Sequence, residues 1–357
     1  MKHMSKLHEP VQGPSVWRRQ DLENDKSWLL QLSDSQAGEI SQAHDRVLAR
    51  GMAAGEFGRE DFDLPTLKFV LADVLEQLQH GRGIVVMRGL PIDPSQPSQA
   101  STILWGIGTY LGRGLRQSPH VNLGNIEDAM VGYIVDQGLD PHDINVHGSA
   151  TSIEQRAHCD PSDLVALLCV RPAADGGGLS SVVSAMSVYN EILEQSPEAI
   201  EGLYRGFYHD LRRQGAASGL MTTPHPIPVY SYHEGHLSVN FNAKTIETGA
   251  ARLNRPLPPD EKAALRTMEE TTRRPDLSFE MMLQTGDLQL LNNYTVLHSR
   301  ATWQDPKDQN ARRFMMRLWL RTLAPRPLAP GFAGGFITGT TYDVAAQVGL
   351  APVADSY

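Results

Sequence analysis

Three residues set the chemistry open to this chain. His158 and Asp160 lie two positions apart in RAHCDPSD (residues 156–163), and a second histidine, His298, closes the distant run GDLQLLNNYTVLH. On an extended chain His158 and Asp160 leave the same face. Two imidazoles and one carboxylate, with the carboxylate near one histidine and the other remote, make a facial triad. Such a triad leaves three neighbouring positions open on an octahedral metal and suits non-haem iron(II). The pair alone carries little, since about one His-x-Asp is expected by chance in a chain of this size. A His and an Asp bonding locally on a sheet edge or turn would read the same way.

The segment beyond His298 adds weight. After a polar loop comes RRFMMRLWL (residues 312–320), where alternation puts Arg313, Met315, Arg317 and Trp319 on one face of a strand. A 2-oxo acid can fill two open metal positions through its carboxylate and keto oxygen, leaving the third for dioxygen. The far carboxylate of 2-oxoglutarate then needs a cation. Arginine suits a buried pocket better than lysine because its planar fork grips a carboxylate in two places and keeps its charge. The plainer alternative is an exposed strand face laced with salt bridges.

The rest of the chain bounds these readings. Its 357 residues can bury a large core, and their composition is that of an ordinary globular protein. Thirty-two Lys plus Arg against 41 Asp plus Glu give a net charge of -9 with no dense basic run, which argues against a nucleic-acid partner. The start, MKHMSKLHEP, has no signal-like apolar core, and no run approaches a membrane span. A cytoplasmic protein without a membrane partner is expected. Cys159 and Cys169 form no CxxC pair and suit a reducing compartment.

The elements that must position these residues are mostly strands. Residues 1–60 are polar and punctuated, and are expected to be an N-terminal extension packing on the core. Leu64, Leu67, Val70, Leu71, Val74, Leu75 and Leu78 then recur at helical spacing, ended by Gly81 and Gly83. A short buried strand (83–91) and a small-residue helix (101–112) come next. Later come strand-like runs such as DLVALLCVRP, GLSSVVSA, IPVYSY and HLSVNF, interrupted by helical MSVYNEILEQSPEAIEGLYR and PDEKAALRTMEETTRR. Many short strands with few long helices argue for a β-barrel or jelly roll flanked by helices. The main domain is placed at 61–325, with a Pro-, Gly- and Ala-rich irregular tail at 326–357.

At these residues the chain resembles the taurine dioxygenase-like (TauD/TfdA) family of Fe(II)- and 2-oxoglutarate-dependent oxygenases. GIVVMRGLP, WGIGTYLGR, the HCDPSD region, GDLQLLNNYTVLHSR and RRFMMRLWL carry the likeness from about residue 60 to about 325. The resemblance implies a double-stranded β-helix, mainly β with flanking helices, of the clavaminate synthase-like or cupin type. It implies His158, Asp160 and His298 as catalytic iron ligands, with 2-oxoglutarate and dioxygen as co-substrates. Cys159, where the family usually has Thr, should face away from the metal. Arg313 matches the arginine that binds 2-oxoglutarate, and Ser180 matches a hydroxyl that assists it. Arg317 matches a substrate-anion anchor that could also assist 2-oxoglutarate, and a loop from His298 to Arg313 slightly longer than in taurine dioxygenase leaves the two roles exchangeable. Asn293 matches a position for a turn or supporting residue.

Other site residues are weaker expectations. Glu154 and Arg156 share the strand parity of His158 and are candidates for substrate binding, with a solvated edge as the alternative. Tyr230, Tyr232 and His236 read as packing residues with polar tips. Residues 113–147 and 215–228 are candidate lids. The expected substrate is a small, anionic molecule, and a homo-oligomer stays open because the 64–78 helix could face the sheet or a second subunit. Two competing readings are a cupin-type metalloenzyme with no use for Arg313 and a non-catalytic barrel.

Overall fold

The apolar spacing after residue 64 does form a helix, and it covers a sheet. The structure is a computed structural model that describes residues 6–115, 130–211 and 220–333. Along the chain come α1 (Arg19–Asn24), β1 (Leu29–Gln31), α2 (Asp34–Ala49), α3 (Leu67–His80), β2 (Ile84–Arg88) and α4 (Pro97–Leu111). After them come β3 (Arg113–Leu115), β4 (Val131–Ile134), β5 (Gln155–His158), β6 (Leu164–Arg171) and β7 (Ser180–Ser184), then α5 (Ala185–Gln195) and α6 (Pro197–Arg205). Next are β8 (Tyr230–His233), β9 (His236–Val239), α7 (Ala243–Arg252), α8 (Pro259–Thr272), β10 (Phe279–Met281) and β11 (Leu288–Asn292). β12 (Val296–Arg300), β13 (Phe314–Arg321) and the short α9 (Pro330–Ala333) complete the described chain.

Two sheets carry the site. The larger runs β1-β2-β11-β6-β13-β3, with β4 also on β13, and the smaller runs β10-β7-β12-β5. Alternation sorts their side chains into layers. On β13, Phe314, Met316, Leu318 and Leu320 join an outer core with Leu67, Leu71, Val74 and Leu78 of α3 and with α4. Met315 and Trp319 instead meet Val165, Leu167 and Cys169 of β6 and, from the smaller sheet, Val182 and Val296. Val183 and Leu297, one residue on, turn outward to α5, α6 and α8. The order is therefore helices, large sheet, small sheet, helices. Each fully buried Leu in these layers contributes about 1.5–3 kcal/mol.

Local sequence explains several boundaries. Pro97 at the first turn of α4 suits a position whose N–H has no helical partner, so α4 starts before the expected Ser101. A Cβ at Gly106 would lie 2.5 Å from the Phe62 ring, so glycine lets α4 approach its neighbour. Pro197 opens α6 and splits the expected single helical segment in two. Helix α2 arises in the polar first sixty residues, where Ser33 and Gln36 form a capping box and Ile40, Ala43 and Val47 are buried. Among the described residues no helix is long and apolar enough to cross a membrane.

Candidate metal centre

His158 ends β5 and stands directly opposite His298 of β12 in the antiparallel ladder. Paired residues project to one face, and the two imidazole centroids lie 4.3 Å apart. Asp160 comes two residues later, in the turn that leads to β6. Its backbone N–H donates to Asn293 Oδ1 at 3.0 Å, while Asn293 Nδ2 donates to Ser162 O at 2.9 Å and Ser162 Oγ at 3.1 Å. The turn delivering His298 therefore grips the loop delivering Asp160. Ligand atoms of His158, Asp160 and His298 all lie within 4.8 Å of one another, and all three residues are buried.

The protonation states suit a cation. His158 Nδ1 donates to Arg156 O at 2.9 Å, which makes Nε2, the atom facing Gln155 Nε2 at 3.1 Å, the acceptor of the ring. Burial, reinforced by His158, pushes His298 down to about 3 against the pull of Asp160, so its ring is neutral. Burial would raise Asp160, but the Arg317 guanidinium beside it holds it below the usual carboxylate range. Asp160 Oδ2 sits 3.8 Å from His298 Nε2 and, among the described residues, meets no hydrogen-bond donor. A buried charged oxygen beside two imidazoles, that of His298 neutral, is a donor set that fits a divalent metal.

The arginines take different places. Arg317 Nη1 lies 3.1 Å from Asp160 Oδ1, and its guanidinium covers Trp319 at 4.3 Å from the ring centroid. Arg313 is also buried, yet it has no carboxylate in salt-bridge reach among the described residues, and its Nη1 meets no acceptor. Its backbone N–H donates to Asp305 Oδ1 at 2.8 Å, and its guanidinium covers Trp303 at 4.6 Å. Gly178, with φ +67°, lies where a Cβ would stand 2.8 Å from Arg313 Nε. Ser180 is buried at the start of β7 and donates its hydroxyl to Gln289 Oε1 at 3.1 Å.

Two residues near the cluster are not singled out by the sequence. Arg300 covers the Trp303 ring at 4.2 Å, so Trp303 is touched by two buried guanidinium groups. Arg300 Nη2 donates to Thr151 O at 2.9 Å and Ile153 O at 2.6 Å. Its position two residues after His298 is a usable signal, because alternation puts both on one face. Nothing in the sequence marks Trp303 as the plate beneath Arg313.

Glu154 and Arg156 are not brought to the cluster. His298 pairs with His158 but Arg300 pairs with Gln155, so β5 holds one residue more than β12 across that interval. This bulge inverts the parity upstream. Gln155 therefore shares the face of His158, its Nε2 3.1 Å from His158 Nε2. Arg156 turns to the helices, bonding Glu247 of α7 at 2.6 Å and Glu269 of α8 at 2.9 Å, and exposed Glu154 pairs with Arg273 at 3.1 Å.

The supporting residues take their plainer roles. Cys159 faces the outer core, and burial pushes its thiol up to about 12, so it stays protonated and turned away from the cluster. Tyr230 is packed and donates to Ala185 O at 2.9 Å. Of the candidate lids, residues 116–129 within the first and 215–219 at the start of the second lie outside the described residues.

Known proteins bear on this geometry. The pattern of the family described as "Taurine catabolism dioxygenase TauD, TfdA family" matches residues 45–319. FR-33289 synthase of Streptomyces rubellomurinus (strain ATCC 31215) is 30% identical over 318 residues, covering 88% of this chain and 91% of that protein. The taurine hydroxylase-like protein SAT17 of Stachybotrys chartarum (strain CBS 109288 / IBT 7711) is 27% identical over 320 residues, 88% of this chain and 80% of that protein. Among solved structures, asparagine oxygenase with Fe(II), 2S,3S-3-hydroxyasparagine and succinate superposes with a TM-score of 0.63 at 17% identity, covering 82% of this chain and 93% of that one. The non-heme iron oxygenase OrfP with Fe and alpha-ketoglutaric acid gives 0.57 at 14%, covering 84% and 99%. These last two likenesses show a shared fold.

Proposed function

Because the chain belongs to the TauD/TfdA family of dioxygenases, we propose that it is an Fe(II)- and 2-oxoglutarate-dependent oxygenase. It couples oxidative decarboxylation of 2-oxoglutarate, giving succinate and carbon dioxide, to hydroxylation or a related C–H oxidation of a small anionic molecule. The observation that carries this reading is the buried His158, Asp160 and His298 cluster lying in the same inter-sheet layer as Arg313, whose Nη1 has no acceptor among the described residues. Support for hydroxylation comes from the names of the relatives, one taurine hydroxylase-like and another an oxygenase solved with a hydroxylated amino acid.

When bound, iron supplies activation of dioxygen for oxidation of both 2-oxoglutarate and the substrate C–H bond. The chain's own residues have separate tasks. His158 and His298 offer nitrogen donors, His298 as a neutral ring, and Asp160 a charged oxygen. Arg313, backed by Trp303, takes the far carboxylate of 2-oxoglutarate, with the Ser180 hydroxyl assisting after release from Gln289. Arg317, fixed by Asp160, anchors an anionic group of the substrate. Placement between two sheets excludes water from this layer and strengthens each charge interaction.

The same reading extends to the architecture. The two facing sheets are the halves of a double-stranded β-helix, residues 61–325 form the dioxygenase domain and 6–60 pack on it; of the expected tail at 326–357, residues 334–357 lie outside the described residues. Burial of Ile40, Ala43 and Val47 in the outer core with α3 and α4 supports the packing of the first sixty residues.

Anaerobic titration of the purified chain with Fe(II) and 2-oxoglutarate tests the proposal. A weak visible charge-transfer band should appear, vanish in His158→Ala and weaken in Arg313→Ala. Iron bound without a band, or a band indifferent to Arg313, would point to a cupin-type metalloenzyme. No iron at all would point to a non-catalytic barrel.

A further inference from the structure

A cavity of about 380 Å³ lies apart from the candidate metal centre, against the β11–β12 turn, the start of β6 and the end of β13. None of His158, Asp160, His298, Ser180, Arg313 or Arg317 lines it. The short turn between β5 and β6 separates the two places: Asp160 belongs to the metal cluster, while Asp163 lines the cavity.

Asp163 does not fill the cavity with unpaired negative charge. Its Oδ1 accepts from Tyr294 Oη at 2.5 Å, and its Oδ2 accepts from Thr322 N at 2.9 Å and Thr322 Oγ1 at 3.1 Å. The other charged and titratable groups of the wall are basic. Arg326 donates from Nε to Ser238 Oγ at 2.9 Å and from Nη2 to Leu237 O at 2.9 Å. Both acceptors are neutral, and no carboxylate lies within salt-bridge reach of Arg326 among the described residues. His80, at the end of α3, and His236, at the start of β9, line the same space. Burial, then Arg326 and His80, hold the His236 imidazole below its ordinary value, as expected where basic groups face one another. Thr295 Oγ1 is buried in the wall with no partner among the described residues. Met186 and Leu237 add apolar surface.

We infer that this cavity is a second binding site, for a small organic carboxylate. Arg326 meets its charge, the two imidazoles offer hydrogen bonds beside it, and the apolar wall takes its body. The volume is at the small end of ligand pockets, and a few convergent polar groups on a partly apolar wall are how such pockets fix orientation. An anion there supplies the counter-charge that Arg326 lacks among the described residues.

The test uses the full chain labelled with [methyl-13C]methionine and titrated with benzoate, with NMR as the readout. Met186 lines the cavity, whereas Met315 lies in the inter-sheet layer next to the candidate metal centre. Benzoate should move the Met186 methyl resonance saturably and leave Met315 in place, in the parent chain and equally in Arg313→Ala. Arg326→Gln should abolish the shift. Because Arg326 also braces Leu237, the double variant His80→Ala/His236→Ala, which removes no such brace, should weaken binding about tenfold or more. A Met186 resonance that stays fixed at saturating benzoate overturns the inference. So does movement of Met315 alone, or an unchanged affinity in the double histidine variant.

Discussion

The layer between the two sheets and the layers outside them are built from the same strands but for opposite ends. On β13, Met316, Leu318 and Leu320 turn outward into a core of aliphatic side chains against α3 and α4. On its inner face the same strand offers Arg317, and Arg313 stands just before it, both buried. The core against α3 and α4 is aliphatic and aromatic almost throughout. The inner layer holds Asp160 Oδ2, Arg313 Nη1, Arg300 Nη1 and Trp303 Nε1, all buried without acceptors or donors among the described residues. Unsatisfied buried polar atoms cost stability, about 1–3 kcal/mol each and more when charged. The four gathered beside the metal cluster fit a layer that holds ligands, while the apolar core against α3 and α4 supplies the stability that tolerates them.

Substitutions break or sharpen this contrast. The largest effect is expected for Asp160→Ala, which removes a donor and leaves Arg317 buried without its carboxylate. Iron binding measured by equilibrium dialysis should be lost, and urea unfolding should show a loss of about 3–5 kcal/mol. Leu318→Ala, in the outer layer, should cost about 3 kcal/mol yet leave iron affinity unchanged. A matching loss of affinity there would erase the distinction between layers. Asn293→Ala removes the clamp between the β11–β12 turn and the Asp160 loop. It should cost about 2 kcal/mol and weaken iron binding about tenfold.

Smaller effects separate the two arginines and the surface. Gly178→Ala places a Cβ at φ +67° against Arg313, with an expected cost of about 1–2 kcal/mol. Calorimetry should show weaker 2-oxoglutarate binding with iron affinity preserved. Arg156→Ala, on the outside of β5, should cost less than about 1 kcal/mol and leave both affinities alone, because its partners sit on α7 and α8. A drop in co-substrate affinity there would return Arg156 to the site.

Much of this is legible in the residues because alternation on strands is a local rule. The inward face of Arg313, Met315, Arg317 and Trp319 comes from period two alone, and so does the outward turn of Cys159 between His158 and Asp160. The α3 helix is equally plain from its leucines. Helix α2 is not, since only Ile40, Ala43 and Val47 anchor it and its capping box lies in a polar stretch. The placing of Glu154 and Arg156 fails for a different reason: one extra residue in β5 reverses the faces, and no residue type announces the bulge.

The sequence by itself determined which residues carry donor and cation chemistry, the strand and helix periods that aim them, and the family to which they belong. Only the tertiary structure decided that His158 faces His298 across a ladder, that Arg317 bonds Asp160 while Arg313 lies over Trp303, and that Gln155 replaces Arg156 beside the cluster. The reason is range. Side-chain direction along one strand is set by neighbours two residues away, whereas register, bulges and partner choice arise between segments separated by well over a hundred residues and are fixed by how the two sheets pack.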